Sequence, residues 1–383
     1  MSPIDGVPVA IKDNLAVTGM PATWGSRVFA ASIVAADELP IARLRAADAV
    51  FVGKTNTPEF AVEGYTGNSL FGVTGNAWDP TLPPGGSSGG SVTAVAARML
   101  PIAIGTDGGG SIRRPVAYSG LVGLKPGIGS VPRYGGLPQV LLDFEVVGPV
   151  AQTVADVADV FVVLRGPDRH DPSSRQATGA DAALRYSPAP LRILYVERFV
   201  DAPCDPQIAA SARDIADLLA DLGHVVEDGP LPLDLGRLNN LWPTIAAIGL
   251  GRMIGKVSTM REHAGAQYLD MARSGADLGA VHLAEILGEV RRLRSEAFML
   301  FNTVDVIITP CCAAPPWKAA VTHPTEIDGK PVGPRGHAVY TGCANAIGHP
   351  AVAVPANPGA DGMAIGVQLV GDLFSEQSLL ALA

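Results

Sequence analysis

Hydrophobic and polar positions follow two patterns along the chain. Short apolar runs predict buried strands, and they lie at 7–11, 49–56, 100–107, 190–196, 225–230, 303–310, 349–356 and 363–371. Between them, apolar residues recur at helical spacing, at 40–48, 153–166, 205–224 and 238–301. A further helix follows the glycine-rich turn at 85–91, with Ser91 as its expected N-cap. Strands that alternate with helices predict an α/β protein with helices on both faces of a central sheet.

Composition narrows the class of protein. The 383 residues are enough to bury a large core. Because 48% of them are hydrophobic and only 17% are charged, the composition excludes a disordered chain. A net charge of −9 disfavours direct binding of nucleic acid. No apolar run is long enough to span a membrane, and the N-terminus lacks the pattern of a signal peptide. Four cysteines make no disulfide framework, so we expect a reduced, cytoplasmic protein.

A serine stands where α/β folds often place reactive groups. Ser111 closes the glycine-rich segment GTDGGGS, directly after the buried strand predicted at 100–107. Backbone N–H groups in such a loop are able to converge on one oxygen and hold an oxyanion; those expected to do so belong to Gly108, Gly109 and Gly110. A plain tight turn is the alternative interpretation of this loop.

A nucleophilic serine needs a base. None of the seven histidines lies in a glycine-rich or strand-end setting, whereas Lys12 ends the apolar strand of GVPVAIKDN. Burial is able to keep a lysine neutral near pH 7, which requires its pKa to fall by about 3 units from about 10.4. The alternative is a lysine whose stem packs while its amine reaches water.

The segment GGSSGGS at 85–91 supplies a hydroxyl that is able to relay a proton between a lysine and a distant serine. A flexible Gly/Ser linker is the alternative, but well-patterned apolar segments flank the run closely. The same residues match a G-x-S-x-G elbow with Ser88 as nucleophile. That motif requires a preceding strand, and DPTLPP at 79–84 makes a poor one.

Eight segments are similar, in order, to those of one enzyme family. They are GVPVAIKDN, VGKTNTPEF, GVTGNAWDP, PGGSSGGS, GTDGGGSIRRP, GLVGLKPGIG, VGPVAQTVAD and IGVQLVG. The chain resembles the amidase signature family, which includes bacterial amidases, fatty acid amide hydrolases and the glutamine-hydrolysing subunit of tRNA-dependent amidotransferases. The resemblance implies a mixed, largely buried central β-sheet flanked by helices on both faces. It is most specific in the block 84–127.

The resemblance also implies roles for named residues. It carries a Ser–cis-Ser–Lys triad onto Ser111, Ser87 and Lys12. The oxyanion hole falls on the backbone of the glycine loop, and three side chains are expected to support that loop, namely Ser88, Asp107 and Arg113. The implied reaction hydrolyses a small-molecule carboxylic amide through a Ser111 acyl-enzyme, with Lys12 acting as base through Ser87. It needs no metal or organic cofactor.

Two other functions stay open at this point. One is the glutamine-hydrolysing A subunit of a tRNA-dependent amidotransferase, and the other is a catalytically silent binding protein. We expect a single domain over 1–383 with a helix-rich elaboration at about 200–302. A homodimer is consistent with the sequence. Family members usually carry helices before the lysine segment, so we also expect that N-terminal helices and the C-terminal end have been lost.

Overall fold

Residues 2–176 and 190–383 are described in a computed structural model of the chain. The strands of these residues are β1 Pro8–Lys12, β2 Val50–Thr55, β3 Gly67–Asn68, β4 Gly72–Val73, β5 Ile102–Asp107, β6 Val122–Lys125, β7 Val146–Ala151, β8 Arg192–Tyr195, β9 Val225–Asp228, β10 Val306–Pro310, β11 Glu326–Ile327, β12 Lys330–Pro331, β13 Ala351–Pro355 and β14 Gly366–Gly371. Their α-helices are α1 Leu39–Ala46, α2 Gly89–Ala96, α3 Arg113–Ala117, α4 Val154–Leu164, α5 Pro206–Asp221, α6 Gly236–Ile254, α7 Met260–His263, α8 Ala266–Ala276, α9 Ala280–Leu300, α10 Gly342–Ile347 and α11 Glu376–Leu382.

Ten of these strands form one mixed sheet in the order β2-β1-β5-β7-β6-β13-β14-β10-β8-β9. The β1 strand pairs in parallel with both β2 and β5, and β8 pairs in parallel with β9 and β10. The central pairs from β5 to β10 are antiparallel. Because β1 and β5 are parallel, their carboxyl ends meet at one edge of the sheet, which brings Lys12 near Asp107.

Helices cover both faces of the sheet, as predicted. In β1, Val9 and Ile11 belong to a core cluster with α1, α4 and α11, whereas Ala10 joins a cluster with α2 and α3. Ile104 and Ala103 of β5 divide between the same two clusters. Since alternate residues of a strand point to opposite faces, the two clusters lie on opposite sides of the sheet. The α/β fold expected from the sequence is confirmed.

The continuous helical stretch predicted at 238–301 is wrong in detail, because it consists of four helices, α6 to α9. Gly265 and Gly279 stand at the N-caps of α8 and α9, where they interrupt the helical run. Helices α6 and α8 then pack closely: a Cβ on Gly275 would collide with the backbone of Ala247. Glycines therefore both break the stretch and permit its parts to pack on each other.

The predicted N-cap at Ser91 is also wrong, because α2 begins at Gly89 with Ser88 in the cap position. Ser91 lies inside the first turn of α2, where its hydroxyl lies 2.6 Å from the Thr55 hydroxyl and donates to the Ile104 carbonyl at 3.3 Å. These bonds attach α2 to β2 and β5. Within the described part of the chain, no helix is long and apolar enough to cross a bilayer.

Candidate active site

Lys12 is fully buried at the carboxyl end of β1. Its Nζ donates to the Ser87 hydroxyl at 2.8 Å and to the Thr106 hydroxyl at 2.8 Å. Burial lowers the pKa of Lys12 from 10.5 to about 7. This is the fall in pKa that a lysine base requires, since about half of the amines are then neutral at pH 7.

Charged neighbours adjust the pKa of Lys12 around the value that burial sets. Glu145 and Asp107 raise it, whereas Arg133 and Arg114 lower it. Glu145 is itself paired with Arg133, whose Nη1 lies 2.7 Å from Oε1 of the carboxylate. That ion pair offsets the attraction of Glu145 for a protonated Lys12, so it helps to keep the amine neutral.

The two adjacent serines make different contacts. The Gly86–Ser87 peptide bond is cis, and the buried Ser87 hydroxyl accepts the bond from Lys12. The Ser88 hydroxyl instead donates to the Thr106 carbonyl at 3.0 Å, and its backbone N–H donates to the Ser111 carbonyl at 3.1 Å. No strand immediately precedes Ser88, as the elbow motif would require. Ser88 thus holds the loops together, while Ser87 faces the lysine.

The loop that carries Ser111 is held by the carboxylate of Asp107. Gly110 N–H donates to Oδ1 at 2.7 Å, and Ile112 N–H donates to Oδ2 at 3.1 Å. Gly110 has a φ of +113°, a region that favours glycine. A Cβ at this position would also collide with the Thr341 hydroxyl. Glycine is therefore required here by both the backbone conformation and the available space.

Asp107 and Arg113 form a buried, bidentate ion pair. Arg113 Nε and Nη2 lie 3.0 Å from Oδ2 and Oδ1 of the carboxylate, and both side chains are inaccessible to solvent. Asn345 Nδ2 donates to Oδ1 at 3.0 Å, and Arg113 Nη1 donates to Gln368 Oε1 at 2.8 Å. Burial alone would raise the pKa of Asp107, but the Arg113 guanidinium holds it well below its usual value. The pair fixes α3, and with it the position of Ser111.

A proton relay requires the Ser87 and Ser111 hydroxyls to come within hydrogen-bonding distance of each other. Among the described residues, the structure has a hydrogen bond from Lys12 to Ser87 but none between the hydroxyls of Ser87 and Ser111. The two serine segments are joined through the backbone bond from Ser88, and Ser111 opens onto a cleft with 7% of its surface exposed.

That cleft has a volume of about 330 Å³. Gly109 and Ser111 line it, and most of its other lining residues come from segments distant in sequence, including Ala61–Gly64, Trp242, Met271, His323, Arg335, His337 and Ala338. Among the residues that the structure describes, no group of His, Cys, Asp and Glu side chains is arranged to hold a metal ion.

Sequence reasoning missed several residues of the site. Thr106 contacts the Lys12 amine, and Arg114 donates to the Thr341 hydroxyl at 3.0 Å and to the Gly86 carbonyl at 3.2 Å. Thr106 and Arg114 lie inside the motif GTDGGGSIRRP, so their closeness to Ser111 in the sequence could have marked them as site residues. No local pattern marks Trp242 as a wall of the cleft.

Comparisons with known proteins identify the family of this chain. Residues 1–380 match the family model described as Amidase. The chain is 33% identical to the A subunit of the glutamyl-tRNA(Gln) amidotransferase of Symbiobacterium thermophilum, over all of this chain and 82% of that protein. A bacterial aryl acylamidase of the amidase signature family superposes with a TM-score of 0.90 at 27% identity, over 100% of this chain and 82% of that chain. For 6-aminohexanoate cyclic dimer hydrolase the TM-score is 0.90 at 28% identity, over 100% and 84% of the two chains. This chain therefore belongs to the amidase signature family, whose members are hydrolases that act on amide C–N bonds.

Proposed function

We propose that this protein hydrolyses a non-peptide carboxylic amide through an acyl-enzyme on Ser111, with Lys12 as base and Ser87 as proton relay. The observation that carries the proposal is the 2.8 Å hydrogen bond between Lys12 Nζ and Ser87 Oγ, made by a lysine with a pKa of about 7. A protonated lysine with an ordinary pKa would have no lone pair with which to accept a proton.

The proton path follows from these contacts. Ser111 Oγ attacks the amide carbonyl carbon as its proton passes to Ser87 Oγ, and the Ser87 proton passes to Lys12 Nζ. The C–N bond then breaks, and the leaving amine takes a proton back along the same path. Water then attacks the acyl carbon and gives its proton through Ser87 to Lys12; the bond from the acyl carbon to Ser111 Oγ breaks, and the proton returns through Ser87 to Oγ, which releases the acid and restores Ser111. The Ser87 and Ser111 hydroxyls must approach each other when substrate enters the cleft.

The glycine loop supplies the proposed oxyanion hole. Gly110 N–H already donates to Asp107, so we assign the donors to the backbone N–H groups of Gly108, Gly109 and Ser111. In this arrangement Gly110 contributes the backbone turn that aims its neighbours. Asp107 and Arg113 hold this turn in place, and the Asp107 carboxylate also raises the pKa of Lys12.

Labelling with a fluorophosphonate probe tests the assignment of the nucleophile. We expect wild-type protein to be labelled at Ser111 and the Ser111→Ala variant to be neither labelled nor active on a panel of amides. Ser130→Ala is a matched control, because Ser130 is a buried serine that does not line the cleft. Labelling that persists in Ser111→Ala, or a folded wild-type protein that takes no label, would contradict the proposal. The second result would favour a silent binding protein.

A second candidate is the glutamine-hydrolysing component of an amidotransferase. Curated relatives that carry this name are 33–35% identical to the chain, above the 27–28% of the two amide hydrolases of known structure. Similarity thus supports this candidate more strongly than a free-standing amidase, and both use the same proposed chemistry. Hydrolysis of simple amides by the isolated chain supports the amidase. Activity on glutamine alone, rising when partner proteins are added, supports the amidotransferase component.

The organisation of the chain is part of the same proposal. One sheet holds strands from both ends of the chain, β1 and β14, which supports a single domain. Helices α5 to α9 form the proposed helix-rich elaboration, and α6 contributes Trp242 to the cleft. A homodimer, or the larger assembly that an amidotransferase implies, is tested by light scattering of the purified protein.

A further inference from the structure

The cleft above Ser111 contains an arginine that the hydrolytic mechanism does not use. Arg335 lines the cleft, and its side chain is open to solvent there. Its guanidinium makes no hydrogen bond or ion pair with any of residues 2–176 and 190–383. What distinguishes Arg335 is its place in the cleft beside Ser111, since other exposed arginines, such as Arg192 with its partner Asp305, lie outside the lining of the cleft. An unpaired cation inside a cleft is a binding group for an anion.

Trp242 fixes the position of this guanidinium. Arg335 Cζ lies 4.7 Å from the centre of the indole ring, in a cation–π contact. The same indole packs against Phe144, with ring centroids 5.5 Å apart. Its edge also reaches the nucleophile loop, because a Cβ on Gly109 would lie 2.9 Å from Trp242 Cζ2. One indole ring therefore separates the cation from the proposed oxyanion donors.

No other charged group among the described lining residues neutralises Arg335. Arg114 is engaged with the backbone of the serine loops and adds positive charge. His337 is buried, and burial followed by the two neighbouring guanidinium groups lowers its pKa well below 6.5. Glu63 is the acidic residue among the described lining residues, and its carboxylate accepts a hydrogen bond from Gln267 at 2.9 Å instead. Although one side of Arg335 faces solvent, desolvation by the walls of the cleft, followed by repulsion from the Arg114 guanidinium, lowers its pKa to about 9, so the group remains charged at pH 7.

We propose that Arg335 selects amides that carry a carboxylate, bound across the Trp242 ring while the amide carbonyl lies over Ser111. The substrate class is then a monoamide of a dicarboxylic acid or an amide of an acidic amino acid, with a short spacer between carboxylate and amide. This inference rests on the proposed amide hydrolysis at Ser111. It adds the chemical group that the substrate must bear.

The test compares amides matched in length that differ only in charge. Glutaramate is paired with pentanamide, and succinamate and adipamate probe the length of the spacer. We expect kcat/KM to favour the carboxylated amide by on the order of 10- to 100-fold, the effect of one charge-assisted hydrogen bond. Arg335→Gln should remove this preference by lowering kcat/KM for the carboxylated amides alone, mainly through KM. Arg335→Lys should restore part of it.

Controls separate this inference from the proposal on which it rests. Arg252→Gln removes an exposed arginine of α6 that does not line the cleft, and it should leave the preference unchanged. Equal activity on charged and neutral amides, or an equal loss of both in Arg335→Gln, overturns the role of Arg335 while leaving amide hydrolysis intact. A folded wild-type protein that hydrolyses neither class overturns both. Glutarate should also slow fluorophosphonate labelling of Ser111 in wild type and not in Arg335→Gln, a readout that needs no turnover.

Discussion

Replacement of Lys12 by methionine tests the physical basis of the proposed base. The amine is fully buried, so folding must either desolvate a charge or release a proton. The Lys12→Met variant removes this cost along with the base. It should lose acylation of Ser111, and its stability should respond to pH differently from that of the wild type.

The magnitude follows from the two pKa values. The pKa is 10.5 in the unfolded chain and about 7 in the folded protein, so the unfolded chain binds more protons between these values, and stability rises with pH across that window. At 1.36 kcal/mol per pKa unit, Lys12 lowers the free energy of unfolding by about 4 kcal/mol at pH 7 and by about 2 kcal/mol at pH 9. Between pH 7 and pH 9 the free energy of unfolding of the wild type should therefore rise by about 2 kcal/mol more than that of Lys12→Met.

Urea denaturation of both proteins at pH 7, 8 and 9 measures this difference. Loss of the hydrogen bonds to Ser87 and Thr106 lowers the free energy of unfolding of the variant by the same amount at each pH. The test therefore depends on how the difference between the two proteins changes with pH. Lys256→Met, at an exposed lysine after α6, should run parallel to the wild type. If Lys12→Met also runs parallel to the wild type, the folded protein holds a protonated Lys12, and the proposed base is refuted.

Three further predictions concern the surroundings of the triad. Arg133→Gln frees the charge of Glu145, so the pKa of the lysine base should rise and the acidic limb of the kcat/KM profile should move to higher pH; an unmoved limb would exclude this coupling. Asp107→Asn breaks the buried pair with Arg113 and should cost about 3–5 kcal/mol of unfolding free energy in urea; a cost below about 1 kcal/mol would contradict the bracing role. Gly110→Ala forces a side chain into a positive φ and an occupied space, so kcat should fall by at least about tenfold in a folded variant, and unchanged turnover would show that the loop adapts.

Much of the candidate site could be predicted because its signals are local. Lys12 ends an apolar run, and Ser87 and Ser111 lie in glycine-rich loops. Each of these features can be recognised from a few neighbouring residues. The pKa of the lysine followed from the expectation that such a strand is buried. The walls of the cleft gave no such signal, because Trp242 and Arg335 reach Ser111 only through contacts between distant segments.

The fold shows the same division between local and tertiary effects. Strand β7 escaped prediction because Gly148 and Pro149 argue against a central strand. In the structure β7 is fully buried and pairs with both β5 and β6, so burial between two partners overrides the weak intrinsic preference of these residues. The sequence predicts one helix over 238–301 because the apolar spacing continues across Gly265. In the structure Gly265 is the N-cap of α8, and the end of one helix and the start of the next there depend on tertiary packing.

The cleft described above draws its parts from two regions of the chain. The proposed proton path lies entirely within the first 111 residues, whereas Trp242 and Arg335 belong to later segments. If Arg335 selects the substrate as proposed, a change at this position should alter which molecules bind without altering the lysine or the serines, whereas Trp242 also packs against the nucleophile loop at Gly109. Selectivity in this protein is therefore open to redesign as an independent variable, and a library confined to the later segments should yield enzymes that share one chemistry and differ in what they accept.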